Sequence, residues 1–81
     1  MRLDKFLKNS RIIKRRTVAK TACESQRVKI NDKIAKPGDN VKVGDIIEIS
    51  FAQSVLKAKV TELIDNSKKD DADKMFETLG D

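Results

Sequence analysis

The chain has 81 residues, 38% of them hydrophobic and 38% charged, and its formal net charge is +5. A chain this short forms one domain with a compact core. It has no histidine and a single cysteine, Cys23. This excludes an intrachain disulfide and the usual zinc sites, so we expect no metal and no cofactor. The sequence contains no stretch typical of a signal peptide or a membrane span, and a cytoplasmic location is the expected default.

Charge is distributed unevenly along the chain. Residues 1–36 hold 12 Lys or Arg against 3 Asp or Glu, a net +9, whereas residues 37–81 hold 6 against 10, a net −4. A basic half on a compact domain is typical of a protein that docks on a polyanion, most often nucleic acid. Two alternatives remain: a lysine-rich surface that serves only solubility, and a membrane-surface or protein-interaction module.

Two short helices are predicted in the basic half. The first covers residues 3–10, where apolar residues recur at helical spacing. The second helix begins after the basic connection 11–16, with Thr17 as its expected N-cap. Cys23 lies on the apolar stripe of this helix and is expected to be a buried structural thiol. The helices should pack against each other as a corner. A polar ridge on the first helix is expected to consist of Arg2, Lys5 and Asn9.

The pattern then changes from helical to alternating. Val28 and Ile30 alternate with basic residues, and the turn at Asn31-Asp32 predicts a tight β-hairpin. Alternation resumes at 41–43, a turn at Gly44-Asp45 leads into a strand over 46–51, and a turn at 52–54 precedes a long final strand. Leu56, Ala58 and Val60 are expected on the buried face of that strand. The fold class is therefore α+β, with two packed short helices followed by a small antiparallel sheet.

A short C-terminal helix is predicted in the acidic tail. Ala72, Met75, Phe76 and Leu79 recur at helical spacing, and we expect this stripe to dock on the domain itself rather than on a partner. The expected organisation is a binding domain over residues 1–65 and a short acidic helix and tail over 66–81.

The basic connection between the helices is the richest candidate site. Four of the six residues 11–16 are basic, and they run into a helix start, where unpaired backbone N–H groups and a partial positive charge favour phosphate. Arg15 and Arg16 would add bidentate hydrogen bonds to phosphate oxygens. Asp4 is expected to orient Arg2 or Lys8 by local pairing. A solvated basic loop is the alternative.

Other charged residues carry weaker signals. Arg27, Lys29, Lys33 and Lys36 could extend a phosphate-binding surface along the hairpin, or could simply solvate a strand. Lys57 and Lys59 are expected to be solvated surface residues. The sequence offers no nucleophile with a partner base, no glycine-rich phosphate loop and no paired carboxylates, so we expect no catalytic residue and no enzyme activity.

These elements together resemble the alpha-L RNA-binding motif of the ribosomal protein S-four type. The resemblance rests on Arg2-Leu3-Asp4-Lys5-Phe6-Leu7, Arg16-Thr17, Arg27-Val28-Lys29-Ile30-Asn31 and Val43-Gly44-Asp45, and it covers residues 1 to about 50. Gln26 and Asp32 occupy positions that often hold glycine. Gln26 is therefore expected to adopt a positive φ angle, which is uncommon for a residue with a side chain.

The opening Met-Arg-Leu-Asp-Lys-Phe-Leu and the run Ile13-Lys14-Arg15-Arg16-Thr17 are similar to the RqcP-type family of ribosome-associated quality-control factors. The resemblance implies binding to the large ribosomal subunit with a stranded peptidyl-tRNA, contact with both rRNA and tRNA, and support of an RqcH-type alanine-tailing factor. We expect a monomer. The predicted RNA-binding residues are Arg2, Lys5, Lys8, Arg11, Lys14, Arg15, Arg16, Thr17, Lys20, Arg27 and Lys29.

The related heat-shock-protein-fifteen family supplies the alternative within translation, a recycling factor for stalled large subunits. Proteins of that family usually have a longer basic C-terminal extension. The tail here is short and acidic, which favours the quality-control interpretation.

Overall fold

A computed structural model describes residues 1–80 and shows an α+β fold, as predicted. Two helices precede a five-stranded antiparallel sheet with strand order β2-β1-β3-β4-β5. The elements are α1 (Leu3–Asn9), α2 (Arg16–Glu24), β1 (Val28–Ile30), β2 (Lys33–Ile34), β3 (Ile46–Ser50), β4 (Val55–Val60), a 3₁₀ turn (Ala72–Lys74) and β5 (Phe76–Thr78).

The core lies between the helices and one face of the sheet. Alternation along a strand sends every second side chain to that face, and the buried side chains of β3 are Ile47 and Ile49. Ala58 and Val60 of β4 are buried and Leu56 is half-buried, as predicted. The helices contribute a larger buried set, which comprises Leu3, Phe6, Leu7, Ala19 and Cys23. This packing fixes the orientation of both helices on the sheet.

The entry to the hairpin has the predicted backbone geometry. Gln26 has a φ of 62° and joins α2 to β1, as expected for a position that often holds glycine. Asn31 and Asp32, with φ of 52° and 68°, form the two-residue turn between β1 and β2. Positive φ at both central residues is what a tight hairpin turn requires. The Asn31 side chain also accepts a hydrogen bond from the Ile46 N–H at 2.9 Å, which ties the turn to β3.

Two local predictions differ from the structure. Thr17 is not the N-cap of α2, because the helix begins at Arg16, and Arg15, two residues before Thr17, takes the cap position in extended conformation. Alternation at 41–43 does not produce a regular strand; this region makes only the isolated bridge between Arg2 and Asn40. Val41 is buried, but Val43 is exposed. Backbone hydrogen bonds from the Val41 N–H to the Met1 carbonyl and from the Leu3 N–H to the Asp39 carbonyl hold this segment beside the start of α1.

The C-terminal tail is helical for only one turn. Residues Ala72–Lys74 form a 3₁₀ turn, and Phe76–Thr78 then pair with β4 as an edge strand. The helical spacing of the apolar residues was misleading because an open sheet edge offered hydrogen bonds that a short helix could not match. The expected self-docking is confirmed for Met75, which is fully buried in the core. Within residues 1–80 no helix is long and apolar enough to cross a membrane.

Candidate nucleic-acid interface

The structure joins Arg2 and Arg16 through one buried carboxylate. Arg2 Nε and Nη2 donate to the two Asp4 oxygens at 3.2 and 3.3 Å, and Arg16 Nη2 donates to Asp4 Oδ1 at 3.4 Å. Asp4 is only 2% exposed, whereas about half of each arginine side chain remains accessible, at 56% and 50%. The expected pairing of Asp4 with Arg2 is therefore present, and its second partner is Arg16 rather than Lys8.

The charge on Asp4 is stabilised by its partners. Burial alone would raise the pKa of this carboxyl, but the hydrogen bonds from Arg2 and the Lys5 backbone N–H, with the charges of Arg16 and Arg2, outweigh burial. The pKa of Asp4 therefore lies below its ordinary value of 3.8. An ionised carboxylate beneath two guanidinium groups restrains their directions through three contacts of 3.2 to 3.4 Å, which are longer than the strongest charge-assisted hydrogen bonds. Both arginines can still present free N–H groups to solvent.

The start of α1 is held by the loop that follows the hairpin. The Leu3 N–H donates to the Asp39 carbonyl at 2.8 Å, and the Asp4 N–H donates to the Pro37 carbonyl at 3.1 Å. These bonds satisfy N–H groups that a helix leaves unpaired at its first turn. Arg2 is consequently fixed at the helix entrance, where its side chain reaches Asp4.

The first half of the candidate interface is a shallow depression that we name the arginine depression. Its lining consists of Arg2, Asp4, Arg16, Thr17 and Lys20. The helix α2 begins here, and its first turn carries no acidic side chain to offset the partial positive charge of the helix end. Arg15, at the cap position, is exposed beside it. Five of the predicted RNA-binding residues are therefore close together.

The second half is a pocket at the end of α1, which we name the loop pocket. It is lined by Lys8, Asn9, Arg11, Lys14 and Ser67. Three of these are predicted RNA-binding residues, and all three are exposed cations. The sequence did not identify Asn9 and Ser67 as members of this site, because Ser67 is 58 residues from Asn9 along the chain.

The predicted polar ridge on α1 does not form. Asn9 is buried, and its amide donates to the carbonyls of Ile64 and Asp65 at 3.1 and 2.9 Å. Lys5 Nζ lies 3.1 Å from the Asp65 carboxylate. The acidic half of the chain thus packs against this side of the helix, and Lys5 has a carboxylate partner that the sequence did not indicate.

Arg27 and Lys29 line neither the arginine depression nor the loop pocket. Lys29 is paired in register with Glu48 of β3, and its neighbour Val28 is the residue that points into the core. Because side chains alternate, Lys29 and the exposed Arg27 lie on the face of the sheet that the helices do not cover. The structure therefore does not bring these two predicted residues together with the arginine depression.

Cys23 is buried, as expected, and takes no part in either depression of the candidate interface. Burial, with smaller effects from the charges of Asp4, Asp39 and Glu24, raises the pKa of the thiol to about 11. A thiol that stays protonated is a poor nucleophile and a poor metal ligand.

Comparison with known proteins places this geometry in a family. The S4 domain family matches residues 1–47. A protein of Streptococcus pneumoniae named RQC P-site tRNA stabilizing factor is 49% identical over 81 residues, which cover all of this chain and 92% of that protein. A protein of the same name from Listeria innocua is 51% identical over 79 residues, covering 98% of this chain and 86% of that protein.

A solved structure gives the same result for the fold. The trimeric structure of Vibrio cholerae Heat Shock Protein 15 superimposes with a TM-score of 0.90 and 25% sequence identity, covering 98% of this chain and 81% of that one. Similarity to the two stabilizing factors extends over nearly the whole chain, well beyond the S4 domain itself. The chain therefore belongs to the S4-domain family of RQC P-site tRNA stabilizing factors.

Proposed function

We propose that this chain is an RNA-binding factor of bacterial ribosome-associated quality control. It binds the large ribosomal subunit that carries a stranded peptidyl-tRNA, contacts rRNA and tRNA, and supports alanine tailing by an RqcH-type factor on the same particle. The observation that carries the proposal is the pair of half-exposed arginines oriented by buried Asp4. The name of the similar S. pneumoniae protein supports the choice of tRNA and ribosome as partners.

The mechanism is positional rather than catalytic. Guanidinium and ammonium groups on the helical face bind phosphate oxygens, which fixes the orientation of the RNA without reading its bases. Recognition then depends on RNA shape and on the ribosomal setting. The chain acts as a monomer in the cytoplasm, where its ribosomal partners are, and holds the tRNA in a position that favours tail elongation.

Co-sedimentation with large subunits carrying peptidyl-tRNA tests the interface. Arg2→Ala and Arg16→Ala should each weaken binding, whereas Lys57→Ala, a matched loss of charge on the opposite face of the sheet, should leave it nearly unchanged. Binding should also weaken with salt, with a slope of about 0.7 to 0.9 per phosphate contact on a log-log plot. If both arginine variants bind as wild type does, the proposed RNA face is wrong.

A recycling role of the heat-shock-protein-fifteen type is the second candidate, favoured by the structural similarity to the Vibrio cholerae protein. A reconstituted tailing reaction separates the two. The quality-control function requires that adding this chain to stalled large subunits and the RqcH-type factor increases alanine incorporation. Subunit release without tail synthesis would support the recycling role. Binding to anionic liposomes without RNA would instead support a membrane-surface module.

The oligomeric state is open to direct measurement, because the similar Vibrio cholerae structure is described as trimeric. Sedimentation equilibrium of the free chain should give the mass of one copy, 9.1 kDa. A stable trimer at the concentration used for ribosome binding would overturn the proposed monomer.

A further inference from the structure

The loop pocket concentrates cations that have no counter-charge. Lys8, Arg11 and Lys14 converge there, and none of them makes an ion pair within residues 1–80. By contrast, Arg2 and Arg16 pair with Asp4, and Lys5 pairs with Asp65. Three like charges on one small surface repel each other, and an anion bound between them would relieve the repulsion.

The pocket also has a polar side chain supplied from a distant part of the chain. Ser67 Oγ donates to the Asn9 carbonyl at 2.7 Å. The Asn9 side chain holds the same segment through its two hydrogen bonds to the carbonyls of Ile64 and Asp65. Asn9 is therefore a positioning residue: it fixes the segment that carries Ser67 against the end of α1. The Ser67 hydroxyl has one O–H donor, and it can rotate to donate to a bound phosphate oxygen in place of the Asn9 carbonyl.

The backbone of the loop holds Arg11 in an unfavourable conformation. Its φ is 61°, in the left-handed region where glycine is preferred after a helix. The loop is anchored on both sides of this residue. The Arg11 N–H donates to the Lys8 carbonyl at 3.0 Å, and the N–H of the buried Ile13 donates to the Leu7 carbonyl at 3.1 Å. Arg11 is one of four non-glycine residues with positive φ in the described part of the chain, so the backbone alone assigns it no role, but the positive φ makes glycine a substitution that the loop accepts without strain.

We propose that the loop pocket binds one backbone phosphate of RNA through Lys8, Arg11 and Lys14, with Ser67 as an additional hydrogen-bonding group. This rests on the proposed function and adds a second contact point to it. The helix α1 has seven residues, so its two ends are separated by roughly 10 Å at 1.5 Å per residue. The loop pocket and the arginine depression therefore bind different phosphates, and the acidic half of the chain contributes to the interface through Ser67.

The substitution Arg11→Gly distinguishes an effect on RNA binding from an effect on folding. It removes the cation and also relieves the positive φ, so the melting temperature should stay the same or rise. Affinity for large subunits carrying peptidyl-tRNA should fall about tenfold, and the log-log salt slope should fall by about 1, as for loss of one phosphate contact. Wild-type affinity and slope in this variant, alongside a loss in Arg16→Ala, would overturn the pocket and leave the proposed function standing.

A second pair of variants tests Ser67. Ser67→Asp places a carboxylate among the three cations and should weaken subunit binding, whereas Ser54→Asp makes the same charge change in the exposed β3–β4 turn and should not. Equal losses in both variants would mean that only total charge matters, and the pocket would be rejected.

Inorganic phosphate, together with subunit binding, distinguishes RNA from a free anion as the ligand. Because three cations suit any phosphate, titrating phosphate at constant ionic strength should raise the melting temperature of wild type slightly with either ligand, and subunit binding decides between them. A phosphate-dependent rise in wild type that Arg11→Gly abolishes, with subunit binding unchanged in that variant, would assign the pocket to a free anion and overturn the RNA assignment.

Discussion

Replacing Asp4 by asparagine is the sharpest test of how the arginine depression works. The side chain keeps its shape, and its carbonyl oxygen can still accept hydrogen bonds, but the second acceptor oxygen and the negative charge beneath Arg2 and Arg16 are removed. If Asp4 acts only as a counter-charge, the variant gains one unit of positive charge and should bind RNA more tightly. If Asp4 orients the two guanidinium groups, binding should weaken in spite of the extra charge.

The contacts set the expected magnitudes. Asp4 accepts hydrogen bonds from Arg2, Arg16 and the Lys5 N–H, the last at 2.8 Å. Since both arginine side chains are about half exposed, water screens the pairs, and we expect a loss of about 1 to 2 kcal/mol in the free energy of unfolding. Ordering a side chain upon binding costs about 0.5 to 1.5 kcal/mol. Two disordered arginines, partly offset by the added charge, should weaken RNA binding about tenfold.

The pH dependence of stability follows from the lowered pKa of Asp4. A carboxyl group with a depressed pKa in the folded state contributes stability that is fully present above its unfolded value, here 3.8. That contribution is lost as the pH falls from 3.8 towards the folded value. The difference in unfolding free energy between wild type and Asp4→Asn should therefore be constant at neutral pH and should close only in that acid range.

The assay compares two neutralised carboxylates. Subunit binding and urea unfolding are measured for wild type, Asp4→Asn and the control Asp65→Asn. Asp65 is 74% exposed and pairs with Lys5 alone, so the control makes the same charge change without disturbing the arginines. We expect weaker binding for the Asp4 variant and equal or tighter binding for the control. Equal tightening in both would refute the orienting role of Asp4.

Three other predictions concern the fold. Cys23 should react with a thiol reagent at pH 8 only after unfolding, and labelling of the folded protein at the rate of the unfolded chain would contradict this. Because the pKa of the thiol is raised from 9.0 to about 11 in the folded state, wild type should lose stability relative to Cys23→Ala as the pH rises through that range. Met75→Ala should reduce the unfolding free energy by about 2 to 5 kcal/mol, and a loss no larger than that of Leu79→Ala in a urea titration would show that the tail adds little to the core. Gln26→Gly should stabilise by up to about 1 kcal/mol in the same titration, because glycine tolerates positive φ; a destabilised variant would contradict this.

The sequence predicted the elements whose signals are local. Both helices, the hairpin turn and the buried face of β4 follow from spacing over a few residues, and resemblance to the S4 type anticipated the positive φ of Gln26. Contacts between distant segments could not be predicted. Asparagine is usually a surface residue, and Asn9 is buried only because residues 64–67 pack against it. The edge strand β5 was likewise missed because pairing with β4 outweighs local helical spacing.

The organisation of the tail also depends on contacts between distant segments, which local sequence signals do not predict. The division at residue 65 remains a prediction, since it was drawn from composition and not from packing. Met75 in the core and the pairing of β5 with β4 indicate how strongly residues after 65 are bound to the sheet. The Met75→Ala measurement therefore also measures how much the acidic segment contributes to the stability of the domain.

Because several cations form ion pairs within the protein, the net charge overstates the number of cations that are free to contact phosphate. The structure divides the cations of the helices into an oriented pair held by Asp4, one cation already partnered by Asp65, and a set with no ion pair in the described part of the chain. Lys29 lies on the uncovered face of the sheet and lines neither the arginine depression nor the loop pocket. Each phosphate contact contributes about 0.7 to 0.9 to the log-log salt slope. The slope should therefore reflect only the cations of the arginine depression and the loop pocket, and remain below the value that the 12 basic residues of the first 36 would suggest.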